Sequence, residues 1–114
     1  MSVEMSTKQV FEEIESRLKE NPEPIQGMET VYQFELSGDD SGVFQLKLSE
    51  GTAGVEEGTP HEADCTIQMD SEDFKEMLLG NLNATAAFMS GKLRVKGDMG
   101  KAMKLQSVLG KYQS

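Results

Sequence analysis

The chain has no tryptophan, one cysteine and one histidine, and these scarcities exclude a good deal. A lone thiol, Cys65, rules out an internal disulfide framework and any metal site built from several cysteines. A reducing cytoplasm is the simplest setting for such a chain. His61 stands alone in Gly58-Thr59-Pro60-His61-Glu62, a solvent-exposed turn by composition. One imidazole cannot supply a multi-histidine metal site, and neither E-x-x-H nor H-x-x-x-H spacing occurs. No metal and no cofactor are expected. Aromatics amount to five Phe and two Tyr, so the core must be mostly aliphatic. Long apolar runs are missing too, since nothing approaches the ~20 residues of a membrane span. The opening MSVEMSTKQVFEEIE is acidic and polar, unlike a secretory leader.

What is present fits one domain over residues 1–114, near the common domain size. The net charge of −9 is unevenly spread. Residues 1–90 carry 5 basic and 19 acidic groups, whereas 91–114 carry 6 basic groups and the single acid Asp98. An acidic body disfavours nucleic acid, which wants a broad basic face. The basic end could meet an anionic membrane transiently, or simply neutralise the remainder.

Periodicity then sorts the chain into elements. Ser6 and Gln9 form a capping box before Val10, Phe11, Ile14 and Leu18, which recur at helical spacing. Asn21-Pro22-Glu23-Pro24 stops that helix. VYQFEL, VFQLKL, CTIQM and KLRVK alternate with period two, and TAGVEE does so more weakly. One face of these strands is therefore covered and the other wet, as in an antiparallel sheet. Ser37–Gly42 and Ser49–Gly51 connect the first three as a meander. Asp70 or Ser71 opens a helix bearing Phe74, Met77 and Leu78. Asn83 opens a short ATAAFM piece closed by Gly91, and Asp98 caps a last helix ending at Gly110. Helices must cover the single apolar sheet face, which makes a two-layer α+β domain.

No catalytic constellation emerges, so an enzyme is not expected. Five residues separate Gly91 from Gly97, which fails the phosphate-loop spacing, and Asp98 would repel an anion there. Cys65 lies on the apolar parity of its strand with nothing basic beside it, the context of a small buried hydrophobe. The acidic pairs Asp39-Asp40, Glu56-Glu57 and Glu72-Asp73 occupy turns, a strand end and a helix first turn, where no burial raises a carboxylate for acid–base work. Five of the eight methionines, Met69, Met77, Met89, Met99 and Met103, follow residue 68. With Phe74, Leu78, Leu79, Leu82, Phe88 and Leu109 they suit either ordinary core filling or a deformable apolar pocket.

The stretch Phe88–Leu109 resembles the C-terminal signature of the sterol carrier protein 2 lipid-binding domain, G-K-L-x-[IV]-x-G-[ND]-M-x-x-A-x-K-L followed by a leucine. Gly91-Lys92-Leu93, Val95, Gly97-Asp98-Met99, Ala102 and Lys104-Leu105 fit it in order. Position 98 is commonly Asn in that family, and Asp caps a helix equally well. The Ala63-Asp64-Cys65-Thr66-Ile67 strand and the Asp73-Phe74…Met77 helix extend the resemblance over nearly the whole chain. It implies a five-stranded antiparallel sheet with helices over one face and an apolar cavity between the layers. It also implies non-enzymatic binding of fatty acid, acyl-CoA, sterol or phospholipid. The chain ends Tyr112-Gln113-Ser114, unlike a peroxisomal tripeptide, so a free-standing cytoplasmic protein is expected.

On that reading the lipid tail lies between Phe34, Phe44, Leu46 and Ile67 of the sheet and Phe74, Leu78, Leu82, Phe88, Met99 and Met103 of the helices. The protein would be a monomer or weak homodimer. The competing expectation is an interaction or dimerisation module with a vestigial cavity. A sealed apolar void of ~300 Å³ would cost roughly 7 kcal/mol, comparable with the whole stability of a small domain. The cavity should therefore hold lipid after purification, or be closed by its methionines without it.

Overall fold

A computed structural model describes residues 5–110. Helix α1 spans Thr7–Glu20, and strands β1 (Thr30–Ser37), β2 (Gly42–Ser49) and β3 (Thr52–Glu57) follow. Strand β4 (Cys65–Asp70) leads into helices α2 (Ser71–Leu78) and α3 (Ala84–Met89), then β5 (Leu93–Gly97) and α4 (Met99–Gly110). A short 3-10 turn at Glu23–Ile25, absent from the sequence reading, links α1 to β1. Tyr112, Gln113 and Ser114, whose sequence was compared with a peroxisomal tripeptide, lie outside the described residues.

Local chemistry explains the helix starts. The Ser6 side chain accepts from the Gln9 N–H at 3.1 Å, while the Gln9 side chain accepts from the Ser6 N–H at 2.9 Å, closing the expected capping box. Asp70 caps α2 through the Glu72 N–H, and Asn83 caps α3 through the Ala86 N–H. Asp98 accepts from the Lys101 N–H at 3.2 Å in the first turn of α4. The β2–β3 hairpin turns on Glu50 and Gly51, both at positive φ (55° and 74°), as a two-residue turn of the primed type requires.

The strand order is β3-β2-β1-β4-β5. Three of the four neighbouring pairs are antiparallel, but β4 runs parallel to β1, with Phe34 beside Ile67. The sheet is therefore mixed at one seam rather than wholly antiparallel. Its cause is the 58–64 connection, which crosses the polar face instead of folding back as a hairpin. Gln45 shows the crossing: its amide nitrogen donates to the His61 carbonyl at 2.8 Å, and its oxygen accepts from the His61 N–H at 3.0 Å.

All the helices pack on the opposite, apolar face. Helix α1 lies over β2 and β3, and α2 over β1 and β4, while α3 covers β5 and α4 covers β4 and β5. Under α1 the core is solid. Phe11 stacks on Phe44 at 4.7 Å and on Phe74 at 5.2 Å, and meets Phe34 edge-on at 5.1 Å. Four of the five phenylalanines thus form one cluster, worth more than their burial alone because the rings adopt favourable stacked and edge geometries. Among the described residues no helix is long and apolar enough to cross a membrane.

Candidate functional site

Over β5 and the adjoining part of β4 the cover is α3 and α4, and there the layers do not close. A cleft of about 250 Å³ remains. Its floor is Phe34, Ile67, Leu93 and Val95; Met77 of α2 bounds one side. Ala84, Thr85 and Phe88 of α3 and Met99, Ala102, Met103, Leu105 and Gln106 of α4 make the walls. Thr85 and Gln106 are the polar residues of that lining, and no charged side chain contributes to it. Such a surface can hold hydrocarbon and offers a hydrogen bond or two, but it carries nothing that would neutralise a buried ion.

Sequence periodicity places α4 here for a plain reason. Leu105 and Val108 are buried against the sheet, which turns Met99, Met103 and Gln106 along one flank toward the cleft. The Tyr32 hydroxyl, fully buried at its ring, donates to the Lys101 carbonyl at 2.6 Å and ties the first turn of α4 to β1. Burial, then the nearby Cys65, Asp98 and Asp64, pushes ionisation of that phenol far above its ordinary range, so the tether persists at any physiological pH. Helix α3 is held more lightly. Ala87 is the buried residue of its six.

The residues expected to form a pocket divide into two groups. Phe34, Ile67, Phe88, Met99 and Met103 stand on the cleft wall. Phe44, Leu46, Phe74 and Leu78 do not; they are buried in the solid part of the core under α1 and α2. Leu82 is half-buried against that core, between α2 and α3, and is also off the wall. Period-two alternation marks which face of a strand is covered, but not which helix covers each position, and α1 fills the β2 end completely. The wall residues outside that expected set are Met77, which was named among the candidate pocket methionines, and Leu93, Val95, Ala102, Leu105 and Gln106, with Ala84 and Thr85. The same helical spacing that named Met99 and Met103 also points to Ala102 and Gln106.

The methionines do not seal the cleft. Met103 is 66% exposed, Met99 44% and Phe88 42%, so they form its rim. A sealed dry void of this size would cost about 6 kcal/mol. Opening to solvent replaces that penalty with the smaller one of wetting apolar side chains.

The other singled-out residues serve the scaffold. Cys65 is buried, and desolvation, followed by the nearby Asp98 and Asp64, raises its thiol, which leaves it protonated and inert. His61 is half-exposed, with Nε2 3.2 Å from Glu56. Asp40 accepts from the Thr7 N–H and from Lys75 Nζ at 3.1 Å, binding the β1–β2 turn to α1 and α2.

The profile of the SCP-2 sterol transfer family matches residues 11–110. Hydroxysteroid dehydrogenase-like protein 2 of Xenopus tropicalis is 46% identical over 107 residues, covering 93% of this chain and 25% of that protein. The chain thus spans about a quarter of the length of that curated relative. Among solved structures, sterol carrier protein 2 of Yarrowia lipolytica, in its apo form, superposes with a TM-score of 0.75 at 26% identity, over 100% of this chain and 99% of that one. The sterol carrier protein domain 2 of Helicoverpa armigera gives 0.79 at 25% identity, over 90% and 84%.

Proposed function

Because the chain belongs to the SCP-2 sterol transfer family, we propose that it is a non-enzymatic lipid carrier whose ligand tail occupies the cleft beneath α3 and α4. The observation that carries this is an almost wholly apolar wall, without a charged side chain, opening at a rim of Phe88, Met99 and Met103. An ionised head group finds no partner inside and must stay at the mouth, so the tail enters first. A cavity of about 150 Å³ accommodates benzene, which scales to about ten carbons in this cleft. Part of an acyl chain fits as the cleft stands. A longer chain or a fused-ring lipid must project past the open rim or widen the cleft.

Native mass spectrometry of freshly purified protein tests the reading. An adduct in the range of roughly 200–800 Da, lost on delipidation and restored by fatty acid, is the expected result. Absence of an adduct together with no binding of a fluorescent acyl probe would overturn it. A dimer independent of added lipid would instead favour an interaction module.

A further inference from the structure

We infer that Met99 and Met103 are sites of reversible oxidation by hydroperoxides, and that sulfoxides there close the cleft to lipid. The inference rests on the lipid-binding reading above and names a control on the same site. Thioethers are concentrated at the mouth. Among the described residues, the large hydrophobic side chains left exposed are Phe88, Met89, Met99 and Met103, so three of the four carry sulfur. Core filling does not account for methionines left open to solvent, whereas Met28 and Met69 are buried. Met99 and Met103 lie one turn apart on α4 and both line the cleft. Met89 is 79% exposed and does not.

Other targets for a two-electron oxidant are closed off. The chain has no tryptophan and one cysteine. Cys65 is buried, and its thiol is held protonated by that burial. A hydroperoxide therefore meets exposed thioethers before any thiol. The sulfur attacks the terminal oxygen, and the S–O bond forms as the O–O bond breaks. The proton on that oxygen passes to the departing one, which leaves as an alcohol or as water. Sulfur gives up two electrons and the hydroperoxide takes them. A sulfoxide reductase reverses the change: the oxygen leaves as water while two thiols become a disulfide.

The oxidised side chain is polar where the rim was apolar. A lipid tail laid over it strips its water, and hydrocarbon offers no donor in exchange. The cleft wall adds little, since Thr85 and Gln106 are its polar residues. Oxidation at the mouth thus opposes the step that loads the cleft, while the ring cluster under α1 is untouched.

Peptide mapping by mass spectrometry after graded tert-butyl hydroperoxide, run beside fluorescent fatty-acid binding, tests the proposal. Met89, Met99 and Met103 should gain oxygen before Met28 and Met69, with Cys65 unmodified. Probe affinity should fall roughly tenfold as positions 99 and 103 convert, and return after treatment with methionine sulfoxide reductases A and B. Fatty acid bound beforehand should slow oxidation at 99 and 103 but not at 89. Met89→Leu, off the cleft wall, should bind the probe as the native protein does and lose affinity on oxidation to the same extent. The double variant Met99→Leu with Met103→Leu should keep its starting affinity, whatever that is, through the same treatment. Unchanged native affinity after full conversion at 99 and 103 would overturn the proposal. So would an equal loss in the double variant, protection by Met89→Leu, or a loss that the reductases do not restore. Failure of the unoxidised protein to bind the probe removes the lipid reading and this inference with it; a failure confined to the effect of oxidation leaves the lipid reading standing.

Discussion

Gln45 shows how far a single position can depart from its sequence pattern. Alternation with Phe44 and Leu46 assigns it to the wet face, yet it is 1% exposed. The 58–64 crossing covers it, and its amide meets the cost of burial with bonds to His61 and, at 2.9 Å, to Gln33. Asp40 is a residue whose charge ties three elements together, through Thr7 of α1 and Lys75 of α2. Donation by the Thr7 N–H, and then by Lys75, holds its carboxyl below the usual carboxylate range despite desolvation. A folded-state value below the unfolded one means that the stabilisation is present above the unfolded value, ~3.9, and is lost as pH falls through the folded one. Asp40→Asn should therefore lower stability by roughly 1–2 kcal/mol at neutral pH, since Lys75 is buried while the carboxylate is 41% exposed. Thermal melts from pH 6 downward check it: the native protein should lose Tm more steeply below ~4 than the variant. Parallel curves would show that Asp40 carries no such linkage.

At the scale of elements, the two glycines that frame β5 look alike in sequence and differ in what they tolerate. Both have positive φ, 82° at Gly91 and 96° at Gly97. A Cβ on Gly91 would meet nothing within 4 Å, whereas one on Gly97 would stand 2.6 Å from the Asp64 carbonyl oxygen and 3.3 Å from Cys65 Cα. Gly91→Ala should then cost about 1–2 kcal/mol, the backbone term alone. Gly97→Ala should cost roughly 2–4 kcal/mol, because β4 must also shift to relieve a backbone clash. Urea titrations distinguish the two, and equal midpoints would refute the difference. The junction also explains the close approach of the last strand: Gly97 pairs with Cys65 and lets Asp98, the cap of α4, follow at once.

For the whole molecule, stability and the cleft are housed in different halves. The α1–α2 half holds the ring cluster around Phe11, while the α3–α4 half leaves its methionines at a rim. A large side chain at that rim should occupy the cleft without disturbing the cluster. Met103→Trp is expected to fold with a Tm within a few degrees of the native protein and to bind an acyl probe at least tenfold more weakly. Strong destabilisation would mean that the site was solid core; unchanged binding would mean that the lipid lies elsewhere.

The sequence by itself determined the four helices and five strands, most of their caps and the helix-covered face of each strand, because periods of two and 3.6 and the capping residues are local properties. It also placed Met99 and Met103 on one flank of the last helix through their spacing. Only the tertiary structure decided that β4 joins β1 in parallel, that Gln45 is buried, and that Phe44, Leu46, Phe74 and Leu78 pack with α1 instead of lining the cleft. Those outcomes depend on which helix lies over which strand and where one connection crosses the sheet. They are set by packing between residues distant in the chain, and no local pattern encodes them.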